Sequence, residues 1–369
     1  MSLQQNLLKT PKPRSRFSEM LQPLFRLFRR NEILCHELNY LFWECTTRCN
    51  LHCRHCGSDC FVDSRNKDMP AEGFFAALDT IPAEARVKGF TVVLTGGEPL
   101  LRPDIQEIGR GIRRRGFGWS LVTNGFLYDE DMHARLMRAG LGAVTVSLDG
   151  TQKSHDWMRG RQGSYSRALD AVRIISDESR LASDVVTCVN RRNIAELQQI
   201  YDTLCAAGAR AWRIFTIIPI GRAASDPDML IAPSHYRVLM DFIAAKRREG
   251  GPLKVSFSCE GWLGPYEKKV RDVPFFCRAG INIASVLVDG RISGCPNIDR
   301  DVFSQGSIYS DNLWEVWQKG FRPFRDRSWT RCGSCANCSQ WRDCQGGGMH
   351  NWHGDLSAPL DCHYSKLTW

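Results

Sequence analysis

No stretch of about 18 consecutive apolar residues occurs in the chain, which excludes a hydrophobic membrane-spanning helix. The first thirty residues lack an apolar h-region and a small-residue cleavage site. They carry Lys9, Lys12, Arg14, Arg16, Arg26, Arg29 and Arg30 instead, so no secretory signal is read there. Basic residues never run together as a tail: the net charge of +9 is spread along the chain, as expected of a solvated surface. No nucleic-acid reading motif accompanies that charge, and nucleic acid is not expected as a partner. Without a signal for export the chain is expected in the cytoplasm, where disulfides are rare. A chain of 369 residues buries a core large enough to fold without such staples.

Against this background sixteen cysteines stand out. In a reducing compartment, cysteines clustered at short spacings read as metal ligands. Eight of them, from Cys259 to Cys362, fall in the last third of the chain among glycine-rich turns and tryptophans. That composition suggests a small unit organised around metal rather than around a large apolar core. Three domains are expected: an extension over 1–36, a main unit over 37–240 and a cysteine-rich unit over 241–369. In the extension Phe17, Met20, Leu21, Leu24, Phe25 and Phe28 follow helical spacing, interrupted by Pro23. Such a stripe either packs on the neighbouring domain or lies on a membrane surface, and packing is the expectation.

From residue 39 short apolar runs recur at 39–47, 90–97, 118–125, 143–150, 184–190 and 211–219, each closed by Gly, Asn, Thr or Pro. Amphipathic segments of helical length at 103–115, 129–139, 164–178 and 192–207 lie between them. Strand–helix repetition at this pace means a parallel sheet with crossover helices, its strands expected to be apolar on both faces. Six units could form a doubly wound sheet or a partial barrel, and in either case the loops after the strands carry the chemistry.

The first such loop holds Cys49, Cys53 and Cys56. Three thiolates can bind three irons of a cubane cluster and leave the fourth open to an outside chelator. A closed zinc site needs a fourth ligand, which Cys45 or Cys60 could supply. The remaining cysteines, Cys35, Cys45, Cys60, Cys188 and Cys205, are expected to be small buried hydrophobes.

The C-x3-C-x2-C spacing after a first strand resembles the signature of the radical S-adenosylmethionine superfamily. Gly96-Gly97-Glu98-Pro99 resembles its GGEP motif, Thr123-Asn124-Gly125 and Ser147-Leu148-Asp149-Gly150 fit the next strand ends, and His155 to Gly160 resembles its HDxxRG segment. The resemblance runs over about residues 39–225. It implies an α/β fold, a partial (β/α)6 TIM-like barrel, with a [4Fe–4S] cluster on Cys49, Cys53 and Cys56. It also implies S-adenosylmethionine held near Gly96, Gly97, Glu98, Asn124, Ser147, Arg159 and Asn190. Alternative structural readings stay open for several of these: Ser147, Asn124 and Asn190 could each cap a following helix, and Asp149 reads as a turn or cap residue. His55 departs from the aromatic residue frequent between the second and third cysteines.

Cys277, Gly290 and Cys295, then Cys332, Cys335, Cys338, Cys344 and Cys362, are similar to the SPASM domain, an auxiliary iron–sulfur module. By that analogy one auxiliary cluster is held by Cys335, Cys338, Cys344 and Cys362. A second would keep Cys277 and Cys295, with Cys259 and Cys332 as candidates for the remaining places. The family has a further cysteine shortly after Cys344, where this chain reads Gln345-Gly346-Gly347-Gly348. Four-thiolate zinc sites are the alternative.

The resemblance implies an enzyme that cleaves S-adenosylmethionine reductively to a 5′-deoxyadenosyl radical and abstracts hydrogen from a substrate. A one-electron reductant of flavodoxin or ferredoxin type is implied as partner. Relatives with this architecture mostly modify peptides and proteins. Sulfatase maturases have Asp where Pro296 stands, so another kind of peptide or protein maturase is expected. Small-molecule or haem-type cofactor synthesis is the alternative, and a non-catalytic iron–sulfur or zinc protein a second. No acid or base is assigned; Asp289, Asp299, Asp343 and Asp361 lie near cysteines in sequence.

Overall fold

The computed structural model describes residues 16–62, 67–87, 89–258 and 260–367. All six expected strands form: β1 (Tyr40–Thr46), β2 (Thr91–Gly96), β3 (Gly118–Thr123), β4 (Ala143–Ser147), β5 (Ala182–Val189) and β6 (Ala211–Thr216). Four shorter ones join them: β7 (Lys254–Phe257), β8 (Ile283–Val286), β9 (Arg291–Ser293) and β10 (Gly306–Ser307). They make one sheet in the order β10-β9-β8-β1-β2-β3-β4-β5-β6-β7. β8 and β1 to β7 are parallel, whereas β9 is antiparallel to both neighbours. β7 and β10 remain at opposite ends of the order, so this is the unclosed partial barrel that the resemblance implied, and of the two forms left open by the strand–helix pattern the doubly wound sheet is not the one formed.

Helices Ile105–Arg114, Glu130–Arg138, Ser164–Asp177 and Leu197–Ala206 form the expected crossovers. They cover the outer face of the sheet. Trp43 of β1 stacks on Phe74 of the helix Ala71–Asp79, with ring centroids 4.1 Å apart, and both are fully buried. The expectation of strands apolar on both faces holds only on this side. In β4 and β6 buried and half-buried positions alternate strictly. The half-buried row includes Thr145, Asp184 and Arg213, joined as a polar ladder across three strands. The physical reason is that the inner face of an open barrel lines a cavity and packs against no second layer.

Two expectations about organisation meet the structure differently. The helix Arg16–Cys35 runs through Pro23 without ending. Phe25 is buried and meets Phe276, with Phe28 on the same ring, while Leu24 stays exposed. Arg278 pairs with Glu32, so this segment packs on the cysteine-rich part of the chain. The side chains of Phe17, Met20 and Leu21 lie outside the description. Residue 240 falls inside the helix Pro233–Glu249, and β8, from the region beyond it, extends the main sheet alongside β1.

Candidate functional site

The first cysteine loop leaves β1 through an irregularity between Glu44 and Thr46, and the pairing with β2 continues past the strand ends. Gly97 donates to the carbonyl of Thr46 and Glu98 to that of Arg48, each at 2.8 Å. A Cβ on Gly96 would lie 2.0 Å from the Thr46 oxygen, and one on Gly97 2.1 Å from that of Arg48. The first requirement on these glycines is therefore close approach to the cysteine loop itself.

Glu98 is fully buried, with Leu100 N, Thr123 Oγ1 and Asn124 N donating to its two oxygens at 2.8–3.1 Å. Burial raises its pKa to about 7 against those hydrogen bonds. Its carboxylate ties the ends of β2 and β3 together and has little capacity left for a ligand. Glu98→Gln should cost about 1–3 kcal/mol, because the amide nitrogen would face a backbone donor; urea unfolding of the apoprotein measures it.

The remaining strand ends close around the same loop. Asn124 donates to Asn50 Oδ1 at 2.8 Å, lies 3.9 Å from Cys49 Sγ and caps its own turn through Phe126 N. Ser147 is half-buried at the end of β4. Asn190 is buried after β5, and its Oδ1 accepts from Arg192 N and Asn193 N, which is the capping role. Its amide reaches Met158 Sδ at 3.0 Å.

Arg159 and Asp149 form the centre of this face. Asp149 is fully buried and carries the Arg159 guanidinium, with Nε at 2.6 Å. Arg159 Nη1 lies 3.7 Å from Cys53 Sγ. Asp149 is thus no simple turn residue: its other oxygen accepts from Cys188 N, and its own N–H donates to His155 Nδ1. Burial works to raise the Asp149 pKa, and the charge of Arg159 outweighs it and holds the carboxyl below its ordinary value. The segment His155–Gly160 also holds the cysteine loop by backbone, through His52 N to Arg159 O and Arg54 N to Met158 O.

Burial drives the His155 pKa down to about 4. The unfolded imidazole binds its proton near pH 6.5, so between these values the unfolded state carries more protons. Stability from this group is present above pH 6.5 and lost as pH falls toward 4. His155→Asn should therefore flatten the acid limb of a plot of urea midpoint against pH.

Sequence reasoning placed Arg222 among the strand-end residues, after β6, but gave it no role. Its Nε donates to Cys53 O at 2.7 Å and its Nη1 to Cys60 O at 3.0 Å, while its N–H reaches Cys56 O. The Pro219-Ile220-Gly221-Arg222 strand end was the available signal. A Cβ on Gly221 would meet the Cys56 and Gly57 carbonyls at 2.5 and 2.6 Å.

The three thiols lie together: Cys49 and Cys53 each interact electrostatically with Cys56 and with one another. Burial pushes Cys49 up to about 12 and Cys53 upward. Cys56 falls to about 6, chiefly through its interaction with Cys60, whose N–H donates to Cys56 Sγ at 3.5 Å. Cys60 is thus part of this cluster rather than a bystander. Cys45 faces away, its thiol on the Thr95 carbonyl within the core. Cys35 is exposed, contrary to the expectation of burial. Among the described residues, no three His, Cys, Asp or Glu side chains are placed to hold a single metal ion. Buried nitrogens without partners remain at Asn50 Nδ2, His55 Nδ1 and His155 Nε2. A thiol set with unmet polar groups around it fits an iron–sulfur cluster and a polar ligand beside it.

In the cysteine-rich region Cys335 interacts with Cys338, Cys362 and Cys332, and Cys344 with Cys362 and Cys335. The four cysteines of the first expected auxiliary cluster, Cys335, Cys338, Cys344 and Cys362, are thereby neighbours. Cys332 belongs beside Cys335, with its thiol on Leu356 O. Cys277 accepts from Met349 N at 3.5 Å, in the stretch that follows the glycines. Cys295 packs against the main core, and Cys259 lies outside the described residues. Cys362 is held between two pinned neighbours. His363 meets Thr216 at the end of β6, where Glu260 also binds, and Asp361 meets Tyr236 and Lys366. The other acids are engaged as well: Asp289 with Arg291, Asp343 with Arg26, and Asp299 as a helix cap 3.5 Å from His353.

A family model described as the radical SAM superfamily matches residues 43–204, and one described as an iron-sulfur cluster-binding domain, SPASM, matches 277–339. The chain carries a radical SAM domain and a SPASM domain. It is a radical SAM enzyme with a SPASM domain, and its cofactors are a [4Fe–4S] cluster, S-adenosylmethionine and auxiliary iron–sulfur. It is 25% identical over 348 residues to an AdoMet-dependent heme synthase of Nitratidesulfovibrio vulgaris, covering 87% of this chain and 91% of that one. It is 29% identical over 335 residues to the mycofactocin maturase MftC of Mycolicibacterium smegmatis, covering 89% and 82%. The radical SAM fold is shared with Streptococcus suis SuiB bound to its precursor peptide SuiA, at a TM-score of 0.66, 15% identity and coverage of 98% and 84%. No helix among the described residues is long and apolar enough to cross a membrane.

Proposed function

We propose that this radical SAM enzyme is a cytoplasmic maturase that modifies a peptide or protein, with Cys49, Cys53 and Cys56 as the ligands of its S-adenosylmethionine-binding cluster. The observation that carries the ligand assignment is the loop itself. Three thiols lie on it, β2, β6 and the His155–Gly160 segment hold its backbone, and Cys45 is turned away from it. When bound, the cluster and S-adenosylmethionine supply a 5′-deoxyadenosyl radical by reductive cleavage of the sulfonium.

The chain's own residues position and shield that chemistry. Arg159, neutralised by Asp149, places a cation beside Cys53, and Arg222 fixes the carbonyls of Cys53 and Cys60. Asn50 and Asn124 present amides beside Cys49. Ser147 at the β4 end and Gly96–Gly97 border the inner face where the methionine and ribose groups would be held. Glu98 and Asn190 act by shaping the strand ends. The expected limit at 36 falls just after the Arg16–Cys35 helix, whereas that at 240 falls inside the Pro233–Glu249 helix.

A cleft of about 460 Å³ opens between Gly57 and Ser58 of the cluster loop and Pro296, Asn297 and Asp299 beyond Cys295, with His353 on its wall. It lies between the two cysteine regions and is of a size that admits a side chain with its flanking backbone. Likeness to MftC over most of both chains supports the peptide class. Likeness to heme synthases over a similar span favours a tetrapyrrole as the second reading. Electrons are expected from a flavodoxin- or ferredoxin-type donor. Co-expression with short peptides encoded nearby, followed by mass spectrometry, tests the proposal. A mass change on a peptide that depends on S-adenosylmethionine supports it, and turnover of an iron porphyrin with every peptide unchanged would transfer the assignment to the second reading.

A further inference from the structure

We propose that two buried arginines, Arg29 and Arg327, bracket Cys344 and set the reduction potential of the auxiliary iron–sulfur centre that this cysteine serves. The inference rests on the reading of Cys335, Cys338, Cys344 and Cys362 as one ligand set.

Cys344 ends the helical turn Trp341–Cys344, and Gln345, Gly346 and Gly347 follow with φ of 48°, 77° and 75°. Three successive left-handed residues turn the backbone sharply, which the two glycines permit. Guanidinium groups hold carbonyls on both sides of this turn. Before it, Arg29 Nη1 donates to Asp343 O at 2.6 Å and Nη2 to Arg342 O at 2.7 Å. After it, Arg327 Nη2 donates to Gly347 O at 3.1 Å. Each arginine is only 5% exposed.

Neither charge has a carboxylate of its own. Asp343, the acid nearest Arg29, is taken in bidentate fashion by Arg26, through Nε at 2.7 Å and Nη2 at 3.0 Å. Arg327 makes no ion pair with a carboxylate among the described residues, and its buried Nε has no partner. A desolvated guanidinium without an anion is strongly unfavourable, so the geometry asks for negative charge here. What faces Arg327 is sulfur: the Cys277 thiol, by charge and hydrogen bond, and then the Cys344 thiol, by charge, are its anionic neighbours. An iron–sulfur cluster on thiolates is anionic and becomes more so on reduction. Fixed cations beside it stabilise the reduced form and raise its potential, the more so in a dry surrounding.

Arg29 belongs to the N-terminal helix, so this assigns that extension a task. It clamps the Cys344 turn and brings one of the two charges. An auxiliary centre poised upward in this way is the better acceptor for the electron released when substrate is oxidised.

The test is an EPR-monitored redox titration of anaerobically reconstituted full-length protein. Arg327→Met should lower the auxiliary midpoint by at least tenfold in the reduction equilibrium, about 59 mV for one electron. Arg29→Met should lower it by a smaller amount, and Arg327→Lys should keep most of the wild-type value. The signal from the cluster on the Cys49–Cys56 loop should stay in place throughout. An unchanged auxiliary midpoint in Arg327→Met with full iron content would overturn the proposal. If Arg327→Met loses iron, the Arg29→Met midpoint decides in the same two directions. Cys344→Ala checks the ligand reading separately: full iron content and intact auxiliary signals in that variant would remove Cys344 from the ligand set, whatever the arginine variants show.

Discussion

Asp149→Ala should cost on the order of 3–5 kcal/mol of folding stability, among the largest losses expected from one side chain in this molecule. The substitution leaves Arg159 charged, 7% exposed and without its carboxylate. It also removes the acceptor for Cys188 N. Urea unfolding of the apoprotein under reducing conditions measures the loss. Replacing the pair together, as Asp149→Leu with Arg159→Met, should recover much of it, because the uncompensated charge is then absent. The paired variant should still be impaired in S-adenosylmethionine cleavage, since no cation remains beside Cys53. Stability and turnover thus separate, which a purely structural ion pair would not give.

Cys53→Ala should abolish formation of 5′-deoxyadenosine from S-adenosylmethionine in the reduced protein, and Cys49→Ala and Cys56→Ala should do the same. Thiolate is the ligand form, and two remaining thiols cannot hold a cubane with three irons secured. Arg222→Ala, which keeps all three thiols but frees the Cys53 and Cys60 carbonyls, should cost about 10–100-fold in iron retention or activity. Cys45→Ala should leave cleavage unchanged, because that thiol points into the core. Liquid chromatography of the nucleoside product reads all of these on one scale.

The elements legible in the sequence were those whose signal is local. Six apolar runs mark β1 to β6 because each strand carries a buried apolar row even where, as in β4 and β6, the other row is half-buried and partly polar. β7 and β8, with four residues each, are too short to stand out from a cysteine-rich background. The cysteine triplet, GGEP and the HDxxRG segment were visible as motifs, yet the tasks of individual residues were less so. Glu98 read as a cofactor contact, whereas three internal donors occupy it. Asp149 read as a turn residue because nothing local reveals its partner, ten positions on and one helix away. Arg222 and Cys60 act on the loop through the folded backbone and across a tight turn, and spacing alone identifies neither role.

Cys60 also bears on the one feature that the chemistry requires, an iron with no protein ligand. EPR of the reduced protein before and after addition of S-adenosylmethionine, compared between wild type and Cys60→Ala, tests it most directly. With three thiol ligands, S-adenosylmethionine should change the cluster spectrum in both proteins, and Cys60→Ala should keep a full complement of iron and still form 5′-deoxyadenosine. A spectrum indifferent to S-adenosylmethionine in the wild type, with iron lost in Cys60→Ala, would mean that Cys60 closes the site, and the proposed radical chemistry at this loop would be wrong.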